Sequence, residues 1–277
     1  MTIAFIGTGN MGGALLRGIL AGGQPPGEVI ATTRSAASAE ALEAETGVRA
    51  LALEADPDAN RTAVAGAKLV FAGVKPWLLS ETLAGVADVL APGAVIVSMA
   101  AGVDSGTIRR AVPDHPVVRI MPNTPSAVGH GVISLAPDAD ASAESVAALT
   151  VLLEPVGLVV PVEEAQLPLL TAISGSGVAY FFLLAEHLVT AAVERGLDPE
   201  VAARTVAATA EGAGRLLADT PDPAALRRAV TSKGGTTAAA LDSFAAEGLS
   251  GLVARAVQAA EDRSLEMEEE NRAAVGR

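Results

Sequence analysis

The stretch TIAFIGTGNMGGALLRGIL, Thr2 to Leu20, decides how the first half of this chain is read. It opens as an apolar, β-branched run of strand length and closes with apolar side chains at helical spacing. Between the two lies Gly7-Thr8-Gly9-Asn10-Met11-Gly12, a GxGxxG pattern placed where strand gives way to helix. Such a pattern needs Gly7 for a tight turn, Gly9 for close approach of the backbone to a pyrophosphate, and Gly12 for close packing of helix on strand. A bare GxGxxG is weak evidence, but its place directly after an opening strand makes this one a dinucleotide-binding turn. Gly7, Thr8, Gly9, Asn10 and Met11 are its candidate cofactor contacts.

Outward from this unit the alternation continues. EVIATT (Glu28 to Thr33), KLVFAGV (Lys68 to Val74) and AVIVSMA (Ala94 to Ala100) read as strands, and helical spacing follows over Met11 to Leu20, Ala37 to Thr46 and Trp77 to Leu90. PVVRIMP and GLVVPV add strands out to Val162. Strands alternating with helices predict an α/β fold with a doubly wound, mostly parallel sheet. From Glu163 strand signals fade and helical periodicity takes over, including Glu200 to Leu217 and a long segment from Leu249. The expected division is therefore a dinucleotide-binding domain over 1–162 and an all-α domain over 163–277.

The composition narrows the function. Half of the 277 residues are hydrophobic but only 3% are aromatic, so the core is built from Ala, Val and Leu. A formal net charge of −13 argues against a nucleic-acid partner, which needs basic surface. The absence of cysteine removes disulfides, thiolate catalysis and Cys-ligated metal, and no spacing suggests another metal site. The opening residues lack the segments of a secretory signal, so a cytoplasmic protein is expected. VAYFFLLAEHLVTAAV, Val178 to Val193, is shorter than the ~20 residues of a membrane span and is interrupted by Glu186 and His187. It reads as a helix buried on nearly all sides, partly by a partner subunit, and no membrane association is expected.

Other motifs fall where strands end. ATTRS offers Thr33 and Arg34 and no carboxylate, which favours NADPH over NADH, although a solvated turn would look the same. GVKPW brings Val74, Lys75 and Pro76 to the carboxyl edge of the sheet, with Lys75 either a cofactor contact or solvated. SMAAG and RIMPNTP leave later strands and supply Ala100, Ala101, Gly102 and Asn123, small enough for a nicotinamide ring to lie against backbone. His115, His130 and His187 have no catalytic setting, and EMEEEN, Glu266 to Asn271, reads as a solvated helix terminus. In the second half, TAISGSGVAYFF (Thr171 to Phe182) and TSKGGTTAAAL (Thr231 to Leu241) are glycine- and hydroxyl-rich helix starts. Each fits helix capping, or a pocket of N–H donors for an anion.

Taken in order, GTGNMG, VKP, SMAAGV, RIMPNTP, SGSGVAY and TSKGGTT resemble the pattern of Δ1-pyrroline-5-carboxylate reductases over essentially the whole chain. The resemblance implies NAD(P)H-dependent reduction of 1-pyrroline-5-carboxylate to L-proline, the final step of proline biosynthesis. It implies a Rossmann-like domain followed by an all-α domain like the C-terminal domain of 6-phosphogluconate dehydrogenase. By position it makes Ser232, Gly234, Gly235, Thr236 and Thr237 ligands of the substrate carboxylate, with Ser176, Gly177 and Val178 shaping the ring pocket. Thr171 resembles the family's proton donor and Asn60 a residue near the adenosine. An interlocked homodimer is implied too, built in the family into larger rings such as a decamer. Two positions depart from the pattern: the family usually has Pro at Val178 and often Pro at Lys233, which leaves ring-size preference open.

Overall fold

The computed structural model describes residues 1–275, and by contact the chain forms two compact units. Met1–Ser176 together with the chain from Ala259 onward make the first, and Gly177–Gln258 the second.

The first unit runs β1 (Ile3–Ile6), α1 (Asn10–Ala21), β2 (Val29–Thr33), α2 (Ala36–Thr46), β3 (Arg49–Ala52), α3 (Ala59–Val64), β4 (Leu69–Ala72) and α4 (Pro76–Ala84). It continues through β5 (Val95–Ser98), α5 (Ser105–Ala111), β6 (Val117–Met121), β7 (Gly131–Pro137), α6 (Ala143–Leu153), β8 (Gly157–Pro161) and α7 (Leu167–Leu170). One eight-stranded sheet has the order β3-β2-β1-β4-β5-β6-β7-β8, parallel throughout except between β6 and β7. The order reverses direction between β1 and β4, and in such sheets the crevice at the carboxyl ends of these strands receives the ligand.

Strand composition explains the layering. IAFI, LVFA and VIVS are buried at every position, as strands covered on both faces must be. Alternate residues feed two separate cores: Ile3 and Phe5 join Leu15, Leu16 and Phe71 on one face. Ala4 and Ile6 join Val70, Leu79, Leu83 and Ile108 on the other. The rings of Phe5 and Phe71 stack with centroids 4.5 Å apart across the β1–β4 register.

Several elements differ from the sequence reading. β3 and α3, of four and six residues, are too short to show a period, and the seven-residue β7, GVISLAP, is a further strand absent from the sequence reading. β7 is antiparallel because only residues 122–130, which hold a 3-10 turn at Thr124–Val128 and Gly129 at φ +73°, join it to β6, leaving no room for a crossover helix. The helix expected over Trp77 to Leu90 stops at Ala84, ahead of Gly85, and ends in a separate turn at Ala87–Val89.

The second unit is helical: α8 (Gly177–Glu194), α9 (Pro199–Asp219), α10 (Pro223–Ala229), α11 (Thr236–Ala246) and the first ten residues of α12 (Leu249–Val275). Asp198 and Asp222 cap α9 and α10 through their side chains, each followed by Pro at the first helical position. Within a single copy α8 is largely uncovered, so the burial expected from the sequence falls to the partner subunit expected with it. Gly177 alone of its residues is buried, while Phe181 and Phe182 are 72% and 67% exposed. Helical structure is also continuous from Glu164 to Glu194, 31 residues, so length and composition alone would allow this stretch to cross a membrane. The shorter span read from the sequence omitted the turns that precede Gly177.

The terminal helix departs from its reading as well. Ser264, Met267, Glu268 and Asn271 form its inward stripe at helical spacing, and only the remaining faces are solvated. EMEEEN is thus half a contact surface, because its second, third and sixth residues return to the first unit.

Candidate functional site at the carboxyl edge of the sheet

The crevice is built on Gly7. Its φ is +76°, and a Cβ there would lie 2.8 Å from the Val74 side chain, so neither the backbone nor the space admits another residue. The loop is pinned from below by the buried Thr32, whose carbonyl accepts from the Thr8 amide at 2.8 Å and the Thr8 hydroxyl at 2.6 Å. The Thr32 hydroxyl accepts from the Gly7 amide at 3.1 Å and donates to Asn60 Oδ1 at 2.7 Å. Asn60 therefore holds the turn from its far side through its side-chain oxygen. A Cβ on Gly12 would sit 3.2 Å from the Gly7 carbonyl, so helix and turn touch where the motif predicts.

Above this base the site is open. Gly9 is the N-cap of α1, with no side-chain capping bond and nothing within 4 Å of where its Cβ would be. The first amides of α1, from Asn10 and Met11 onward, meet no capping side chain, which is the arrangement that receives a pyrophosphate.

The edge of β2 forms the second part. Thr33 is buried and its hydroxyl donates to the Ser35 carbonyl at 2.9 Å, so its side chain shapes the turn. Arg34 is exposed and, among the described residues, makes no ion pair. With Ser35, Leu53 and Glu54 it lines a cleft of about 460 Å³. Lys75, the N-cap of α4 before Pro76, is exposed and likewise unpaired among the described residues. Gly73 stands beside the turn; its Cβ would come within 2.8 Å of the Gly7 carbonyl.

The loops after β5 and β6 close the row. The Ala100 amide donates to Ser98 Oγ at 3.3 Å, and Gly102 has φ +70°. Asn123 is buried, and its side chain is committed to the protein: Oδ1 accepts from the Val132 amide at 2.9 Å, and Nδ2 donates to the Ser174 carbonyl at 3.0 Å. The latter bond reaches a π-helical turn, Thr171–Gly175, in which the Ser176 amide bonds the Thr171 carbonyl at 2.8 Å. Such turns leave carbonyls free for other donors and recur at functional sites. The Thr171 hydroxyl donates to the Leu167 carbonyl at 2.7 Å.

Of the expected site residues, the first unit gathers the cofactor set from Gly7 to Asn123 along one edge and also holds Thr171 and Ser176. Gly177, Val178 and Ser232 to Thr237 belong to the second unit. There Gly235 caps α11 without a side-chain bond, Gly234 has φ +72°, and the Gly235 amide folds back on the Ser232 carbonyl at 3.1 Å. The amides of Thr236 and Thr237 lie in the uncapped first turn. Lys233 is exposed.

Sequence reasoning missed the buried ionic group beside the site. Arg119 on β6, 4% exposed, binds Glu164 at 2.8 Å and Glu268 at 3.0 Å. Glu164 in turn accepts from the Ser105 amide at 2.7 Å and from its hydroxyl. Burial pushes the Glu164 carboxyl up, but the Ser105 donors and Arg119 outweigh it and leave the group below its ordinary range. An Arg inside the apolar run VVRIM was the one signal available, since its partners lie far along the chain. Among the described residues no cluster of His, Cys, Asp and Glu could hold a metal ion.

Comparison with known proteins bears on both units. Residues 164–267 match the family described as pyrroline-5-carboxylate reductase dimerisation, and residues 2–102 the family described as NADP oxidoreductase coenzyme F420-dependent. A pyrroline-5-carboxylate reductase of Pseudomonas aeruginosa is 38% identical over 271 residues, covering 97% of each chain. The structure of a pyrroline-5-carboxylate reductase from Coxiella burnetii superposes with TM-score 0.89 at 32% identity, covering 96% of this chain and 98% of that one. That of Plasmodium falciparum pyrroline carboxylate reductase with NADP bound gives TM-score 0.83 at 25% identity over 97% and 98% of the two chains.

Proposed function

This chain belongs to the pyrroline-5-carboxylate reductase family, and from that premise we propose that it reduces 1-pyrroline-5-carboxylate to L-proline with NADPH, NADH being the alternative donor. The observation that carries the reading is the uncapped start of α1 above a glycine turn that admits no Cβ, beside an unpaired Arg34. The first receives a pyrophosphate, and the second suits a 2′-phosphate better than a bare ribose. When bound, the dinucleotide supplies a hydride to the carbon of the ring C=N bond, while the nitrogen gains a proton.

The chain's own residues bind and orient. Gly7 to Met11 hold the pyrophosphate, Thr33 and Arg34 the 2′-phosphate end, and Asn60 the adenosine. Val74, Lys75, Pro76, Ala100, Ala101, Gly102 and Asn123 surround the nicotinamide side, with Asn123 acting through backbone because its side chain is committed elsewhere. The amides and hydroxyls of Ser232, Gly234, Gly235, Thr236 and Thr237 take the substrate carboxylate, and Ser176, Gly177 and Val178 shape the ring pocket. Positioning of this kind supplies much of the rate enhancement. Thr171 is assigned the proton donation, which requires its hydroxyl to turn away from the Leu167 carbonyl.

By role, residues 1–162 form the cofactor domain and 163–277 the substrate and dimerisation domain. The exposed aromatics of α8 are covered by a second copy rather than by lipid, because Glu186 and His187 interrupt them and the matched family is one of dimerisation. The working form is a cytoplasmic homodimer, assembled into larger rings such as a decamer, with no membrane or nucleic-acid partner.

The test is NADPH oxidation by purified protein with 1-pyrroline-5-carboxylate, repeated with NADH and with the six-membered homologue. Rapid turnover of the five-membered imine, faster with NADPH, is expected. NADPH binding without turnover of either imine would overturn the assignment.

A further inference from the structure

The loop after β5 is held from the opposite end of the chain. Asn271 Nδ2 donates to the Gly102 carbonyl at 2.6 Å. Arg272 binds Asp104 Oδ2 through Nε at 2.9 Å and Nη2 at 2.7 Å, while Asp104 also caps α5 through the Thr107 amide. One turn earlier Glu268 pairs with the buried Arg119. Met267 lies so close that a Cβ on Gly102 would fall 2.7 Å from its own Cβ. Gly102 is therefore required by the approach of α12 as well as by its positive φ, and that requirement holds whether or not a cofactor lies against it.

Met267, Glu268, Asn271 and Arg272 stand at i, i+1, i+4 and i+5, so one face of α12 makes every one of these contacts. A helix end that merely shielded the sheet would be served by apolar side chains. Here an amide is spent on a loop carbonyl and a guanidinium on the residue that caps the next helix, which fixes both ends of the Gly102 to Asp104 turn. Asn271 also walls a cleft of about 250 Å³ over the start of α4, with Pro76 and Trp77 opposite.

We propose that the last turns of α12 clamp the Ala100 to Gly102 backbone in the position that receives the nicotinamide end of the dinucleotide, with Asn271 and Arg272 as positioning residues. The inference rests on the cofactor reading given above. Its physical content is pre-organisation: a loop already held in its bound form loses less freedom when the ligand arrives.

The experiment compares Asn271→Ala, Arg272→Ala and Arg272→Lys with the parent protein. It measures KM for NADPH, KM for the imine, melting temperature, and NADPH affinity by fluorescence titration without imine. The two alanine variants are expected to raise KM and Kd for NADPH several-fold while KM for the imine stays at its parent value, with Arg272→Lys recovering part of the loss. Parent values of KM and Kd for NADPH in both alanine variants would overturn the clamp, even if both melt at lower temperature. A parent protein that binds NADPH but reduces no imine would overturn the proposed activity alone, and the Kd series would then decide the clamp. A parent that binds neither NADPH nor NADH would overturn both.

Discussion

The phenylalanines of the two units have opposite fates. In the first, Phe5 and Phe71 are at most 1% exposed and stack on each other at the centre of the sheet; in the second, Phe181 and Phe182 are 72% and 67% exposed on α8. The first unit buries two apolar cores on the two faces of one sheet, although Trp77, Val128 and Leu158 remain exposed. Among the described residues, Ala202 is the only hydrophobic residue of the second unit that is fully buried. The contrast teaches that one half of this chain builds its cores within a single copy, whereas the other leaves most of its apolar surface uncovered by its own chain. Its match to a dimerisation family agrees with that division of labour.

The comparison breaks most visibly at α8. Placing Asp at both Phe181 and Phe182 should convert the assembly to monomers in light scattering and abolish imine turnover. Each aromatic contributes roughly 1.5–3 kcal/mol on burial, and a buried carboxylate costs several more. A double variant that remains an assembly would mean these rings face water. Phe71→Ala acts on the other side of the comparison. It should destabilise the first unit by about 3–5 kcal/mol, read as a lower urea midpoint. Assembly through α8 at low urea should persist.

Arg34→Ala sharpens the contrast between binding and folding. Losing one charge-assisted contact should raise KM for NADPH about ten- to hundred-fold, leaving KM for NADH and the melting temperature unchanged. An equal change for both cofactors would place Arg34 away from the 2′-phosphate.

The smallest expected effect is acidic. Burial pushes the Asp104 carboxyl up, but Arg272 and the Thr107 amide and hydroxyl hold it below its ordinary range, as Ser105 and Arg119 do for Glu164. A carboxylate with a depressed folded pKa stabilises the fold above its unfolded value, and this contribution fades as pH falls through the folded value. Protection of the amides of residues 259–275 in hydrogen exchange should therefore drop below about pH 4, ahead of the strands. Uniform protection down to global unfolding would show that these contacts carry none of the hold on α12.

The legibility of the site follows the same line. Gly7 was readable because its turn, its helix and its conformational need all lie within a dozen residues. Arg34 was readable because a strand end places it. Asn123 sat in a motif at a strand end, but the partners of its side chain were not legible, since the Ser174 carbonyl it bonds lies 51 residues away. Glu164, Glu268 and Arg272 were invisible, each an ordinary charged residue until the fold supplies its partner.

By itself the sequence determined the α/β order, the dinucleotide turn, the helical second half and the family, because these rest on local period, local backbone need and motif order. The tertiary structure alone decided that α8 presents its aromatics outward, that β7 runs antiparallel, and that the chain's last turns bind the loop after β5. These depend on which surfaces meet across long separations in the chain, where no periodicity records the partner and only packing chooses it.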